Sequence, residues 1–352
     1  PASSVGGGKL ALLDVKTGEI EILVDDPEGG VRDPVVSCDA IKIMYSHRKD
    51  GERYKIFEID LPSRKIRQMP FWEEGYDDIE PAYIPGGDIV FVSSRCRRMV
   101  PCWGVDVAIL HRYYAGENIV RPISANVDQD NSPWPLADGK IIYMKWEYVQ
   151  KNQMNFHALW KKDPNGANDM VFFGNDIPNH LYIDAKQIPG SQNSYTLTFS
   201  DWHGNRDHLG RVAFLRNPRN PSDVSAFSIA SGESLANFSY PFPLSENYAL
   251  VSDFDSILIM DDKGHIFQNI KLPKEFSEEL KRKKLEIKSP VPVKKSREGK
   301  PAADACDYGA DDATVALMDA AIGRNMGSVK SSDIKKLLVS EVLPLACHLT
   351  GG

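Results

Sequence analysis

Five stretches of the chain repeat one pattern about 45 residues long, a period typical of propeller blades. Each copy opens on a short segment that contains a proline or a carboxylate. A turn, an apolar strand, a polar loop, a second strand and a last short strand follow. The copies begin at "RDPVV", "DIEPAY", "DNSPWP", "YIDAKQ" and "SYPFP". Four strands per copy, repeated around an axis, leave only short sheet edges, so the repeat predicts an all-β chain with a β-propeller fold.

The residues between and within the strands support this prediction. The stretches "PGGD", "ADGK" and "DPNGA" supply the glycine and asparagine residues that tight strand connections need. The strands are rich in Ile, Val, Tyr and Phe, and they are too short for helices.

The two chain ends are expected to complete a further blade. The N-terminal "KLALLDVKTGEIEILVD" resembles the last two strands of a copy, and "ATVALMDAAIG" and "IKKLLVSEVL" near the other end would supply the first two. Pairing of the N- and C-terminal strands would close a ring of six blades of four antiparallel strands. We therefore expect one propeller domain over residues 9–344, with flexible ends at 1–8 and 345–352, and the chain as a fragment of a longer protein.

One segment, residues 272–312, departs from the repeat. It starts as a short charged helix, "LPKEFSEELKRKKLE", and continues as a Pro- and Lys-rich connection. It is interpreted either as a solvated excursion between blades or as a regulatory, partner-binding arm.

Charge and hydropathy exclude two classes of partner. The net charge of −7 argues against nucleic-acid binding, and no apolar run approaches the roughly 20 residues that span a bilayer. We therefore expect no nucleic acid and no membrane span. The five cysteines fit neither a disulfide-rich scaffold nor a zinc ribbon.

Polar residues recur at equivalent positions of successive copies. In a four-stranded blade, the end of the second strand and the start of the first lie on one face, around the central funnel. The ligand-binding candidates at these positions are Arg48, Arg95, Trp146, Asp78, Glu80 and Asn131, and Arg32, Asp33 and Asp184 enter first strands in the same way. Two interpretations stay open, namely salt bridges between blades and a functional funnel.

The residue types in this set favour a polar ligand that is glycan-like or anionic. Arginine binds carboxylates and sulfates with two hydrogen bonds, and tryptophan stacks on sugar rings. Glu147, Asp201 and His203 are the catalytic candidates, because a hydrolase or lyase of glycans needs paired carboxylates or an acid–base group. Whether the chain is an enzyme is left open.

Cysteine and histidine residues define a candidate metal site. His203 and His208 share the loop "SDWHGNRDHLG" with carboxylates, and Cys96 and Cys102 share the loop "CRRMVPCW". Such groups can hold zinc or another divalent metal. The alternatives are hydrogen-bonded histidines without metal and, for the cysteines, a disulfide or two thiols.

Several motifs taken together resemble one known family. "SSRCRRMVPCW", "NSPWPLADGKIIYMKWEYV", "HALWKKDPNGAND", "DWHG" and "IGRNMGSVKSSDIKKLLVSEVLP" are similar to hydrazine synthase alpha-subunit-like proteins, over roughly residues 32–344. The resemblance implies a propeller middle domain of an exported protein, periplasmic or secreted, whose further domains lie outside this chain. The alpha subunit of that family carries c-type haems and zinc, but this sequence contains no Cys-x-x-Cys-His. A haem-free relative without covalent haem is therefore expected.

Three functions follow as hypotheses. The first is an exported propeller that binds a polar ligand in its funnel. The second is a non-catalytic scaffold for protein partners, for which the Lys-rich stretch near Lys281 is the motivating feature. The third is a metal or redox subunit of a hydrazine-synthase-like complex.

Overall fold

We describe the chain from a computed structural model, which covers residues 7–101, 104–149, 156–177, 180–201, 208–232, 237–283, 285–296, 299, 314–319 and 324–330. The chain divides into two compact units, residues 1–303 and 304–352. Among the described residues, no helix is both long enough and apolar enough to cross a membrane.

The first unit begins with a two-stranded antiparallel sheet, β1 (Gly8–Leu13) and β2 (Ile20–Asp26). Five consecutive groups of four strands follow, which we call blades 1 to 5. Blade 1 contains β3 (Gly30–Val36), β4 (Lys42–Arg48), β5 (Lys55–Asp60) and β6 (Ile66–Gln68). Blade 2 contains β7 (Asp78–Tyr83), β8 (Ile89–Ser93), β9 (Ile109–Tyr114) and β10 (Ile119–Pro122).

The remaining blades have the same organisation. Blade 3 contains β11 (Asp130–Pro135), β12 (Ile141–Trp146), β13 (Phe156–Lys162) and β14 (Met170–Phe173). Blade 4 contains β15 (His180–Gln187), β16 (Ser194–Asp201), β17 (Arg211–Arg216) and β18 (Phe227–Ile229). Blade 5 contains β19 (Phe238–Pro243), β20 (Tyr248–Asp253), β21 (Ser256–Asp261) and β22 (Ile266–Ile270). Within every blade, each strand pairs antiparallel with the next one along the chain.

The expected glycine turns connect the strands. Gly86 and Gly87 lie between β7 and β8 with φ of 90° and 87°, and Gly139 lies between β11 and β12 with φ of 90°. Only glycine adopts this left-handed backbone without steric cost, so these turn predictions are confirmed.

The apolar core lies between the facing sheets of neighbouring blades. Successive side chains of a strand point to opposite faces of its sheet, so one packs against the preceding blade and the next against the following blade. One pair of residues illustrates each interface, and all eight are fully buried. The pairs are Met44 and Phe91 between blades 1 and 2, Val90 and Tyr143 between blades 2 and 3, Leu159 and Leu197 between blades 3 and 4, and Phe214 and Val251 between blades 4 and 5. This layered core joins the five blades, and a short parallel pairing of β13 with β15 also links blades 3 and 4.

The β1–β2 sheet packs on blade 1 in the same manner. Leu10 of β1 and Val24 of β2 contact a cluster that includes Tyr45 and Ile59. The pair therefore has the position expected for the outer strands of a further blade.

An α-helix, α1 (Lys274–Lys283), follows blade 5, at the charged segment where a short helix is predicted. Residues 285–296 continue without regular structure.

The second unit contains an antiparallel strand pair, β23 (Thr314–Asp319) and β24 (Arg324–Lys330). The stretch "IKKLLVSEVL" lies outside the described residues. Closure of a six-bladed ring by the chain ends stays a prediction.

Candidate functional site

The first strand of every blade carries the same irregularity. The pairing register of β3, β7, β11, β15 and β19 with the second strand shifts by a bulge near its middle. One residue at each bulge has a left-handed backbone, with φ between 51° and 59°; these residues are Asp33, Glu80, Ser132, Asp184 and Tyr240. We call them the ring residues.

This conformation is costly for all five. A residue other than glycine pays on the order of 1–2 kcal/mol in the left-handed region. Four of the five, all except Asp184, also precede a proline, which restricts the backbone further. Strain of this kind persists only where packing enforces it, and it clusters at binding and catalytic sites. Five equivalent bulges therefore mark the centre of the molecule as a candidate site.

The ring residues line a single cavity, which we call the ring cavity. Its volume is about 70 Å³, on a scale where one water molecule needs about 10–15 Å³. The other lining residues are Pro34, Val35, Pro81, Pro133, Trp134, Ala185, Lys186, His208, Phe242, Ser289, Pro290 and Val291. Apolar and aromatic walls thus surround a small polar centre.

One half of the polar centre is built around Glu80. Its carboxylate accepts hydrogen bonds from Arg32 Nη2 at 3.4 Å, from Asn131 Nδ2 at 3.3 Å and from the backbone N–H of Ser132 at 2.5 Å. Its own N–H donates to Asp33 Oδ2 at 3.1 Å, and Arg32 Nε donates to Asp33 Oδ1 at 2.9 Å. This network joins blades 1, 2 and 3.

The other half is built around Asp184. His208 Nδ1 lies 3.0 Å from Asp184 Oδ1, and Ser132 Oγ donates to the same oxygen at 2.9 Å. The imidazole of His208 stacks on the ring of Tyr240 with 5.1 Å between centroids, and its Nε2 lies 4.0 Å from Glu80 Oε1. His208 therefore connects the two buried carboxylates.

Burial and charge shift the pKa values of these groups in different directions. Burial raises the pKa of Glu80, and the neighbouring Asp33 raises it further. Burial also opposes ionisation of Asp184, but the charge and hydrogen bond of His208 overcome it and lower the pKa of Asp184 to about 2. Burial alone would lower the pKa of His208, yet Asp184 raises it. The structure thus favours an Asp184 carboxylate paired with a His208 imidazolium.

The cavity has balanced charge. Three carboxylates, on Asp33, Glu80 and Asp184, are matched by the cationic side chains Arg32, Lys186 and His208. Lys186 Nζ lies 3.5 Å from Asp184 O and 5.3 Å from the centre of the Trp134 ring. Carboxylates accept hydrogen bonds from hydroxyl groups, and aromatic faces pack on the C–H surfaces of sugars.

Comparison with known proteins gives the fold but no family. No family model matches the chain, and no curated protein matches it. The solved structure of hydrazine synthase from Kuenenia stuttgartiensis matches 76% of this chain and 42% of its own chain, with a TM-score of 0.65 and 16% sequence identity. A protein described as TolB from Agrobacterium tumefaciens matches over 76% of this chain and 90% of its own, with a TM-score of 0.53 and 10% identity.

The chain has a β-propeller fold. It spans less than half of the hydrazine synthase chain that it matches. At these identities the likeness concerns the fold alone.

Six residues singled out from the sequence lie at or beside the ring cavity. Asp33, Glu80, Asp184 and His208 line it, and Arg32 and Asn131 donate hydrogen bonds to Glu80. Their functional roles stay predictions.

Asp78 and Arg95 contact each other within blade 2. The guanidinium of Arg95 donates to Asp78 Oδ1 at 2.9 Å, to Asp78 Oδ2 at 3.1 Å and to Phe71 O at 2.6 Å. Burial raises the pKa of Asp78 to about 6, although Arg95 opposes the shift. Arg48 does not line the ring cavity; its guanidinium lies 5.1 Å from the centre of the Tyr54 ring, over which Arg32 also lies at 5.9 Å.

Trp146 is a core residue between blades. It is 9% exposed, and it stacks on His157 with 5.5 Å between ring centroids. It packs with Val107 and Leu181 in one apolar cluster.

The carboxylates Glu147 and Asp201 occupy neighbouring blades. Glu147 N–H donates to Phe156 O, Phe156 pairs with His180, and His180 pairs with Asp201. Three strand spacings of about 4.8 Å place the two backbones roughly 14 Å apart. Asp201 forms two hydrogen bonds of 3.1 Å with Arg211, whereas Glu147 Oε2 is buried without a hydrogen-bond partner among the described residues. Their catalytic role stays a prediction.

The metal hypothesis is tested only in part. Cys102 and His203 lie outside the described residues. Cys96 donates its thiol to Val107 O at 3.1 Å, and His208 has Nδ1 occupied by Asp184. Within the described ranges, no group of three or more His, Cys, Asp or Glu residues is arranged to hold a metal ion. Zinc at Cys96, Cys102, His203 and His208 therefore remains a prediction.

The cavity residues that sequence reasoning overlooked include Ser132, Trp134, Lys186, Tyr240, Phe242 and Ser289. One signal would have found two of them. A polar or aromatic residue directly before proline recurs in "RDP", "IEP", "NSP" and "SYP", at the same place in four copies. This alignment points to Ser132 and Tyr240 as the equivalents of Asp33 and Glu80.

Proposed function

We propose that this β-propeller binds a neutral, hydroxyl-rich ligand, such as one residue of a glycan, in the ring cavity. The observation that carries the proposal is the cavity itself, in which the carboxylates of Glu80 and Asp184 stand among the aromatic side chains of Trp134, Tyr240 and Phe242. Sugar hydroxyls would donate to the carboxylates while the sugar's C–H surface packs on an aromatic ring.

The charges favour a neutral ligand over an anionic one. Arg32 is already engaged by Asp33 and Glu80, and His208 is engaged by Asp184. An anion that bound Arg32 or His208 would have to displace a carboxylate, and burial lowers the pKa of Lys186, whose Nζ donates to Asp184 O. A hydroxyl group, in contrast, adds a hydrogen bond without breaking one. The sequence led us to expect a ligand that is glycan-like or anionic, and the charges in the cavity favour an uncharged glycan-like ligand.

Glycan-array binding tests the proposal. We expect the wild-type chain to bind a defined set of glycans, and Trp134→Ala and Asp184→Asn to weaken binding at least tenfold. Trp72→Ala is the matched control, because Trp72 is 46% exposed and does not line the cavity. Equal binding by Trp134→Ala, Asp184→Asn and the wild type would refute the cavity as the site.

The family and the cellular location are part of the same proposal. The motifs from "SSRCRRMVPCW" to "IGRNMGSVKSSDIKKLLVSEVLP" support membership among haem-free relatives of the hydrazine synthase alpha subunit, and hence an exported protein. Cell fractionation of the native host should place the protein outside the cytoplasm. Recovery in the cytoplasm alone would reject this setting and leave the ligand proposal standing.

A further inference from the structure

Ser289 has the conformation of the ring residues although it lies in the segment after α1. Its φ is 51°, it precedes Pro290, and both line the ring cavity together with Val291. The ring residues have φ between 51° and 59°. Ser289 thus adds a sixth pattern-matched residue to the five ring residues, and with His208, whose φ is 61°, seven residues of left-handed backbone line the cavity.

The sequence around Ser289 also matches the first strands. "KSPVPV" at residues 288–293 aligns with "NSPWPL" of blade 3 and "SYPFPL" of blade 5, with the serine at the place of Ser132 and Tyr240. The alternation of proline with an apolar residue is the same in all three. The segment thus resembles the first strand of a blade in its sequence pattern and in the backbone conformation of Ser289.

The segment lies between blade 5 and blade 1. Ile287 N–H donates to Phe254 O in the β20–β21 turn at 2.5 Å, and Ser296 N–H donates to Cys38 O in the β3–β4 turn at 2.9 Å. These are its two backbone hydrogen bonds to the blades among the described residues. The ten residues from Ile287 to Ser296, nine steps along the chain, can span about 30 Å when extended, more than the length of a six-residue strand.

This segment is attached differently from the five first strands that carry the ring residues. β3, β7, β11, β15 and β19 each pair with a neighbouring strand along their length. Residues 289–295 have no ladder partner within the part of the chain that the structure describes, and residues 293–296 are exposed. A segment held at its ends, with few backbone hydrogen bonds, opens at lower free energy than a paired strand.

We infer that residues 287–296 form the sixth wall of the ring cavity, that Ser289 is its ligand-contacting residue, and that this wall moves aside to admit the ligand. The inference rests on the proposed function for the identity of the ligand, but not for the movement. The hydroxyl of Ser289 extends the row of oxygen atoms that the other ring residues present.

Chemical modification of His208 measures the opening of the wall without any ligand. Diethyl pyrocarbonate transfers an ethoxycarbonyl group to an accessible imidazole nitrogen, and peptide mass spectrometry reports the rate for each histidine. Replacing Ser289, Pro290 and Val291 with three glycines should accelerate modification of His208 about tenfold, because the side chains that close the cavity are removed. The matched control replaces Lys294 and Lys295, which lie in the same segment outside the cavity, with glycine.

Each outcome decides the proposal. Acceleration in the 289–291 variant alone supports the sixth wall, whereas unchanged His208 modification, or equal acceleration in both variants, overturns it. His265, whose side chain is 76% exposed, should react at one rate throughout and so reports equal reagent activity, whereas His111, which is 4% exposed, should stay slow in both variants and so reports intact folding.

Hydrogen exchange of the wild-type chain keeps the inference testable if the glycine variant does not fold. The amides of Ile287 and Ser296 should exchange at least tenfold faster than those of the paired strand β19, and equal protection would refute a movable wall. Faster His208 modification without glycan binding would reject the ligand and keep the wall. Glycan binding with unchanged modification would reject the wall and keep the ligand.

Discussion

The carboxylate of Glu80 belongs to blade 2, yet its hydrogen-bond donors come from blade 1 and blade 3. Each donor satisfies an oxygen that burial has removed from water, and the cost of an unpaired buried charge explains why so many donors converge there. The same residue lines the ring cavity. Salt bridging between blades and a functional centre are therefore compatible at one side chain.

Arg95 and Asp78 form a different kind of polar contact, one that stabilises a single blade. Asp78 is fully buried, and the Arg95 side chain is 11% exposed. Arg95→Ala leaves the Asp78 carboxylate without its cation, so we expect the free energy of unfolding to fall by about 3–5 kcal/mol. Urea denaturation measures the change.

An exposed ion pair provides the control for Arg95. Arg64 and Glu21 are 2.7 Å apart with side chains 44% and 48% exposed. Arg64→Ala should cost less than about 1 kcal/mol. A similar small loss for Arg95→Ala would show that Asp78 does not depend on its partner, whereas partial recovery in Arg95→Ala with Asp78→Asn would support the pairing.

At the scale of the element, the bulge in each first strand turns one side chain toward the centre. An unbroken strand alternates its side chains between two faces, both of which are covered by neighbouring blades. The extra residue of a bulge bends the strand and re-aims one side chain. The repeated bulge thus explains how strands packed on both faces still present polar groups to the cavity.

The strain at the bulge predicts an unusual order of stability. Ser132→Gly and Ser132→Ala both remove the hydroxyl that donates to Asp184. Because φ of Ser132 is 53°, the glycine variant should be more stable than the alanine variant by about 1 kcal/mol. Thermal or urea denaturation of the pair measures this difference.

A serine in a regular strand supplies the comparison. Ser252 lies in β20, fully buried, and its hydroxyl contacts Ser239. There, alanine should be the more stable substitution by about 0.5–1 kcal/mol, since glycine loses more backbone entropy on folding. The same order at both positions would contradict left-handed strain at Ser132.

At the scale of the whole molecule, the blades share a central cluster of titratable groups, so stability should depend on pH through that cluster. The folded-state pKa of Asp184 is about 2, below its ordinary value of 3.8. A lowered carboxyl pKa contributes stability above the ordinary pKa, and this contribution is lost as pH falls through the folded value. The loss should amount to about 2 kcal/mol between pH 4 and pH 2.

Asp184→Asn isolates this contribution. The difference in free energy of unfolding between wild type and Asp184→Asn should shrink by about 2 kcal/mol as pH falls from 5 to 2. On the alkaline side, the raised pKa of His208 has the opposite sign, so the stabilisation is lost as pH rises through it. A pH-independent difference would contradict the Asp184–His208 pair.

The sequence by itself determined the class of fold and the position of its elements. The repeat, the glycine turns and the charged helix depend on neighbours within a few residues, and the β-propeller, the turns at Gly86 and Gly139 and α1 all occur where predicted. Blade equivalence also selected Asp33, Glu80, Asn131 and Asp184, and the histidine-containing loop selected His208; the structure brings all five to the ring cavity or beside it. These features depend on residues close together in the chain, so the repeating sequence pattern was sufficient to predict them.

Only the tertiary structure decided which polar side chains face the cavity and which are consumed by packing. Arg95 and Asp78 satisfy each other in blade 2, and Trp146 packs between blades, because burial requires partners that no local pattern specifies. Ser289, about 50 residues beyond Tyr240 in the chain, reaches the same cavity through backbone contacts with blades 5 and 1. The site depends on contacts between residues far apart in sequence, and these form only when the blades assemble.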